Sequence, residues 1–284
     1  MNEDDIARLV REVLADITAR NAVPADAASP GEGDEAPDVT AVTTRDEFHV
    51  PHPANREGYL AMKQSTVARL GVWRAGPRYN TYSMLHFRAD HATAQDAVFT
   101  DVDPGWVTGQ GFIAGQSLCH SKDEFLTRPD LGRKLNDETR DLFRRELTRS
   151  TVTIMVGDGL SSSAMVNVPE ILPAVKQGLQ GFGIEAGPVA YVKYCRVGAM
   201  DDVGQLIGSD VVLLLIGERP GLATGESMSA YMAYQPRPDR PESWRTVVSN
   251  IYRGGTPPAE AGAHIATLLK RMLDEKISGV DLKL

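Results

Sequence analysis

The run Val211-Val212-Leu213-Leu214-Leu215-Ile216, closed by Gly217-Glu218-Arg219-Pro220-Gly221, decides the fold. Six apolar residues without polar alternation predict a strand covered on both faces, as in a parallel sheet flanked by helices. Upstream, Val152-Thr153-Ile154-Met155-Val156 reads the same way and runs into Gly157-Asp158-Gly159-Leu160-Ser161-Ser162. Around these two strands the pattern predicts a helix over 169–179, a strand over 188–194 and a short helix over 201–207. Further strands follow over 228–234 and 246–251. The last element is a helix over 257–277 with the stripe Ile265, Leu268, Leu269, Met272 and Leu273. Thr256 is placed to cap it, Pro257 sits near its first position, and Gly279 lies past its end. Strands alternating with helices predict an α/β fold built on a mainly parallel, doubly wound sheet.

Working outward from that core, residues 57–149 read as mostly helical. Arg74-Ala75-Gly76-Pro77-Arg78 forms a basic, turn-like loop, and a helix is expected over 82–98. Thr127-Arg128-Pro129-Asp130 should open another helix running through Arg133, Leu135 and Leu142. At the N-terminal end, Ile6, Leu9, Val10, Val13, Leu14 and Ile17 share one face of a predicted amphipathic helix. The stretch 21–46, rich in Ala, Pro, Asp and Gly, lacks the large apolar residues needed to bury itself and reads as a linker. The expected organisation is an N-terminal helix (1–20) for docking or targeting, a linker (21–46), a mostly helical region (47–150) and an α/β domain (151–284).

The chain has 284 residues, 42% of them hydrophobic, which suffices for one sizeable core. A net charge of -8 argues against binding nucleic-acid phosphates or anionic membrane surfaces. Two cysteines, Cys119 and Cys195, make neither a disulfide framework nor a zinc site. The charged start (Glu3, Asp4, Asp5) lacks the apolar stretch of a secretory signal, and no apolar run is long enough to cross a bilayer. A cytoplasmic location is expected.

Ligands of open α/β sheets sit beyond the carboxyl ends of the strands. Three loops have that address: Gly157 to Ser162, Gly217 to Gly221, and Arg253-Gly254-Gly255-Thr256-Pro257. Their glycines allow close backbone approach. No G-x-G-x-x-G or Walker pattern follows any strand, so nicotinamide and ATP enzymes are not supported. His86 and Asp90 are four apart on one expected helix, but no third ligand shares their face, and a solvated or ion-paired face is expected instead of a metal site. Cys119 and His120 are adjacent in sequence and do not face each other as nucleophile and base. Ser161 and Ser162 lack the nucleophile-elbow pattern and are assigned cap or turn duty. The residues therefore single out no catalytic group and no metal ligands in this chain. Glu218, at a strand end, is either a surface ion pair with Arg219 or an acceptor for a ligand hydroxyl or amide.

With these motifs placed, the chain resembles the small (light) subunit of ethanolamine ammonia-lyase. The likeness is carried, in family order, by Arg74-Ala75-Gly76-Pro77-Arg78, Ala89-Asp90-His91, Leu126 to Arg133 and Asp158-Gly159-Leu160-Ser161. It continues through Glu170-Ile171-Leu172-Pro173, Arg196-Val197, Gly217 to Leu222, Ser249-Asn250-Ile251, Gly254 to Pro258 and Lys270-Arg271-Met272-Leu273.

The resemblance implies a Rossmann-like subunit that completes an adenosylcobalamin site at the interface with a large, TIM-barrel subunit, which binds ethanolamine. Homolysis of the cobalt–carbon bond starts a radical reaction that yields acetaldehyde and ammonia. The family's cobalamin contacts fall on Val197, Glu218 and Val247, the last being cysteine in some members. The D-x-H-x-x-G signature that places a protein histidine under cobalt is absent around all six histidines, so the cofactor is expected base-on, with its own dimethylbenzimidazole on the metal. The family's N-terminal helix also implies entry into a bacterial microcompartment, and the stripe from Ile6 to Ile17 suits docking in a groove. Two readings from other classes remain beside this one. One is a self-sufficient α/β transferase or hydrolase using the Asp158–Ser162 loop. The other is a non-catalytic assembly subunit.

Overall fold

A computed structural model describes residues 47–66 and 68–283. The expected helix over 1–20 and linker over 21–46 lie outside the described residues. The framework is a mixed α/β structure around one six-stranded sheet. Its strands are β3 (Ile113–Gln116), β4 (Val152–Gly157), β5 (Ala190–Lys193), β6 (Val211–Gly217), β7 (Met228–Tyr234) and β8 (Thr246–Ile251). They lie in the order β3-β5-β4-β6-β7-β8. The first four pair in parallel, whereas β7 is antiparallel to both β6 and β8. The antiparallel step follows from the link between β6 and β7, which contains no crossover helix to return the chain to the starting edge.

Every residue of β6 is buried, as its unbroken apolar run requires. Its side chains alternate between two cores. Val211, Leu213 and Leu215 pack with Ile154, Met232 and residues of α6 (Val168–Gly181) and α8 (Pro258–Glu275). Val212, Leu214 and Ile216 pack on the other face with Phe143 of α5 (Asp137–Glu146) and Met200 and Val203 of α7 (Ala199–Ile207). Fully burying one such aliphatic side chain stabilises by roughly 1.5–3 kcal/mol.

Upstream lie α1 (Arg56–Gln64), a small hairpin of β1 (Arg74–Ala75) and β2 (Arg78–Tyr79), α2 (Thr81–Phe99), α3 (Pro104–Gly109) and α4 (Lys122–Thr127). Asparagine side chains cap three helices. Asn55, Asn80 and Asn136 accept from the amides of Gly58, Ser83 and Thr139, each at 2.8 Å. The basic loop is the hairpin, with Gly76 at φ +64° making its turn.

Four expectations change. The mostly helical stretch before residue 150 contributes β3, which pairs with β5 at the edge of the main sheet. Thr127 to Asp130 ends α4 rather than opening the next helix; a 3-10 turn at Leu131–Arg133 follows, and α5 begins only after Asn136. Thr256 does not cap α8: its backbone bridges to the end of β8, and Pro257 takes the cap position without a side-chain bond. The helix ends at Glu275, two residues before the expected end, and Lys276 behind it adopts a left-handed conformation. Among the described residues, no helix is long and apolar enough to cross a membrane.

Candidate functional site

A cleft of about 360 Å³ opens beyond the carboxyl ends of β4, β5 and β6, where β7 begins. Its walls include Gly159, Leu160, Arg196, Val197, Glu218 and Tyr231. Two of the three predicted loops form it. The third, 253–257, supplies no wall; its place is taken by Ser249 of β8, the edge strand beside β7.

Close approach of the two loops depends on glycine. Gly159 has φ +60°, and a β-carbon there would lie 2.2 Å from the Gly217 carbonyl oxygen. Leu160 N–H donates to that same carbonyl at 3.1 Å. The loop after β5 is held from below by Asp158. Its carboxyl accepts from the amides of Gly159 (2.8 Å), Cys195 (2.8 Å) and Tyr194 (2.7 Å). Burial pushes this carboxyl up to about 6 despite the three amides. Tyr194 takes φ +56°, so the chain turns sharply into Arg196 and Val197.

Glu218 stands one residue past β6. Its Oε2 accepts from Ser227 Oγ at 2.6 Å, and its Oε1 from Ser229 Oγ at 2.5 Å and Asn250 N–H at 2.9 Å. Burial pulls its pKa upward, the hydroxyls and the amide outweigh that pull, and the net value lies below the usual one. The carboxyl clamps β6, β7 and β8 together, and its partners are these hydroxyls and the amide rather than the Arg219 guanidinium. Three of its roughly four acceptor positions are used, which leaves about one for a ligand donor.

Val197 and Glu218 therefore line one cleft. Val247 does not. It is 46% exposed on β8, opposite Tyr231, on the same face as the wall residue Ser249 two positions on. The sequence reading missed the clamp residues Ser227, Ser229 and Asn250. The first two share a face at spacing two beside the Gly-Glu loop, a signal that could have marked them.

The other candidates are structural. Ser161 Oγ donates to the Gly225 carbonyl and Ser162 Oγ to the Ala97 carbonyl at 3.4 Å, so both tie loops rather than cap the turn that follows. Cys119 and Cys195 are buried free thiols whose pKa values burial raises. Asp90 pairs with Arg69, and His86 packs on the ring of Tyr82 at 4.4 Å. No three His, Cys, Asp or Glu residues converge as a metal set among the described residues.

The ethanolamine ammonia-lyase light chain (EutC) family profile matches residues 56–283. The chain belongs to that family. It is accordingly a lyase subunit. The ethanolamine ammonia-lyase small subunit of Listeria innocua is 49% identical over 293 residues, covering all of both chains. That of Clostridium perfringens is 50% identical over 295 residues, again with full coverage of both. That of Clostridium tetani is 51% identical over 292 residues, covering all of this chain and 99% of the relative. Family membership sets aside the reading of a self-sufficient hydrolase or transferase.

Proposed function

We propose that this chain is the small subunit of an adenosylcobalamin-dependent ethanolamine ammonia-lyase, completing the cofactor site only when the large subunit docks. The reading rests on one observation: in a member of this family, Val197 and Glu218 meet in a single cleft at the ends of the parallel strands. The strand arrangement is then a Rossmann-like, doubly wound one modified by the antiparallel pair β7–β8. The cleft fits part of a corrinoid. Val197, Ile216 and Tyr231 offer apolar contact, and Glu218 keeps about one acceptor position for a ribose hydroxyl or a corrin amide. It is smaller than a whole corrinoid, which supports a site that a second polypeptide completes.

When bound, the cofactor supplies radical chemistry through cleavage of its cobalt–carbon bond. This chain's residues bind and orient. Glu218 fixes one polar edge of the ligand while holding β6, β7 and β8 in register. Val197, on the Asp158-anchored loop, forms the apolar wall. Val247 extends that surface along β8, where the cofactor's rim and the partner would cover it. Ethanolamine contacts and the loss of ammonia belong to the large subunit. The base-on state follows from the missing D-x-H-x-x-G signature. Residues 1–20 would carry the enzyme into a microcompartment within the cytoplasm.

Co-expression with a large subunit tests the reading. Ammonia release from ethanolamine should require both chains and adenosylcobalamin. Activity of either chain alone, or of the pair without cobalamin, would overturn it.

A further inference from the structure

We propose that Arg196 is the anion-binding residue of the cleft and that the group it takes is a phosphodiester, the one in the nucleotide tail of the bound cofactor. This rests on the cofactor reading above.

Arg196 lines the cleft and is about half-buried, yet no acid pairs with it among the described residues. Its Nη2 donates to the Phe125 carbonyl at 2.7 Å, and its guanidinium lies 4.3 Å above the Phe125 ring. Its backbone amide donates to the Gly132 carbonyl at 2.8 Å, and a β-carbon on Gly132 would come within 2.6 Å of the arginine's Cγ. The side chain is therefore fixed before any ligand arrives. Its Nε is buried without an acceptor, as is that of Arg245, but Arg196 differs in that, among the described residues, no carboxylate meets its guanidinium and no protein acceptor meets Nη1.

Holding a charge in this state is unfavourable, and burial draws the guanidinium pKa below its ordinary value. The neighbouring cavity shows what the fold does elsewhere. There Arg133 meets Glu242 at 3.1 Å, Arg140 meets Asp202, and Arg245 meets Asp201 at 2.5 Å. In the cleft the sole acid on the wall among the described residues is Glu218, whose oxygens already serve Ser227, Ser229 and Asn250. Arg219, exposed on the same wall, is likewise without an acid partner there. The wall thus carries two cations against one committed carboxylate, and a planar guanidinium matches a phosphate ester.

The experiment uses the assembled two-subunit enzyme and equilibrium dialysis. Adenosylcobalamin is compared with adenosylcobinamide, which lacks the phosphodiester and the base. Arg196→Met, which keeps a stem over Phe125 and removes the charge, should weaken adenosylcobalamin binding about tenfold or more, the worth of one charge-assisted hydrogen bond. Adenosylcobinamide binding should change far less. Arg196→Lys should recover part of the loss. Equal losses for both ligands, or no loss for either, would overturn the assignment. Wild-type enzyme that retains neither cofactor would overturn the underlying cofactor reading instead.

Discussion

Asp158 carries a carboxyl with 1% exposure among three backbone amides. Burial has raised its pKa from 3.8 to about 6. A raised carboxyl favours the folded state most while protonated. Its contribution is complete below pH ~4 and is lost as the pH climbs through ~6. In Asp158→Asn this dependence disappears. The stability of the variant relative to wild type should therefore improve by about 2 kcal/mol between pH 4.5 and 7, whatever constant cost the lost amide bonds impose. Urea unfolding at the two pH values measures it. A gap that does not change with pH would show that the carboxyl is not buried as described. The same residue shows why site chemistry was only half-legible in the sequence. Asp158 and Glu218 stand out as acids beside glycine in strand-end loops. What each one holds comes from Tyr194, Cys195, Ser227, Ser229 and Asn250, set beside them by folding.

Helices α6 and α8 touch through small residues. A β-carbon on Gly178 would lie 2.5 Å from Cβ of Ala266, and one on Gly262 would lie 2.6 Å from Cβ of Ala174 and 2.8 Å from the Ile171 carbonyl oxygen. Two backbones this close leave no room for a branched side chain. Gly262→Val should therefore destabilise the chain by about 1–3 kcal/mol through overpacking, offset only slightly by the relief of helical glycine. Thermal unfolding of the isolated chain checks this, and wild-type stability would contradict it. Elements of this kind were the most legible. The apolar runs of β4 and β6 and the stripe of α8 each declare a period and a burial, and the structure keeps all three. The edge strand β3 was not legible, because Ile113-Ala114-Gly115-Gln116 is short, only partly buried and without an apolar run. The start of α5 was misplaced because Pro129 resembles a first-turn proline, whereas Asn136 makes the cap. Proline fixes one dihedral angle in a turn as well as in a helix, so its presence alone does not separate the two.

Across the described part of the molecule, exposed large apolar side chains are unevenly spread. Seven of twelve, from Met62 to Phe99, fall within 38 residues, and four of the seven, Tyr82, Leu85, Phe87 and Phe99, are on α2. Only His86 and Ala97 of that 19-residue helix are buried. A helix that leaves several large apolar side chains in water gains little from its own chain and is stabilised by covering. The cleft poses the same question from the other side, since it fits only part of the ligand proposed for it. One large partner would satisfy both features, and the large ammonia-lyase subunit proposed above would be that partner. Leu85, 61% exposed, separates docking from folding. Leu85→Asp should leave the unfolding midpoint of the isolated chain unchanged, because the side chain is already in water. It should lower several-fold the yield of complex recovered with a tagged large subunit, because a carboxylate cannot be desolvated there without a counter-charge. Undiminished recovery of the complex would mean that α2 faces solvent in the assembly and that the partner docks elsewhere.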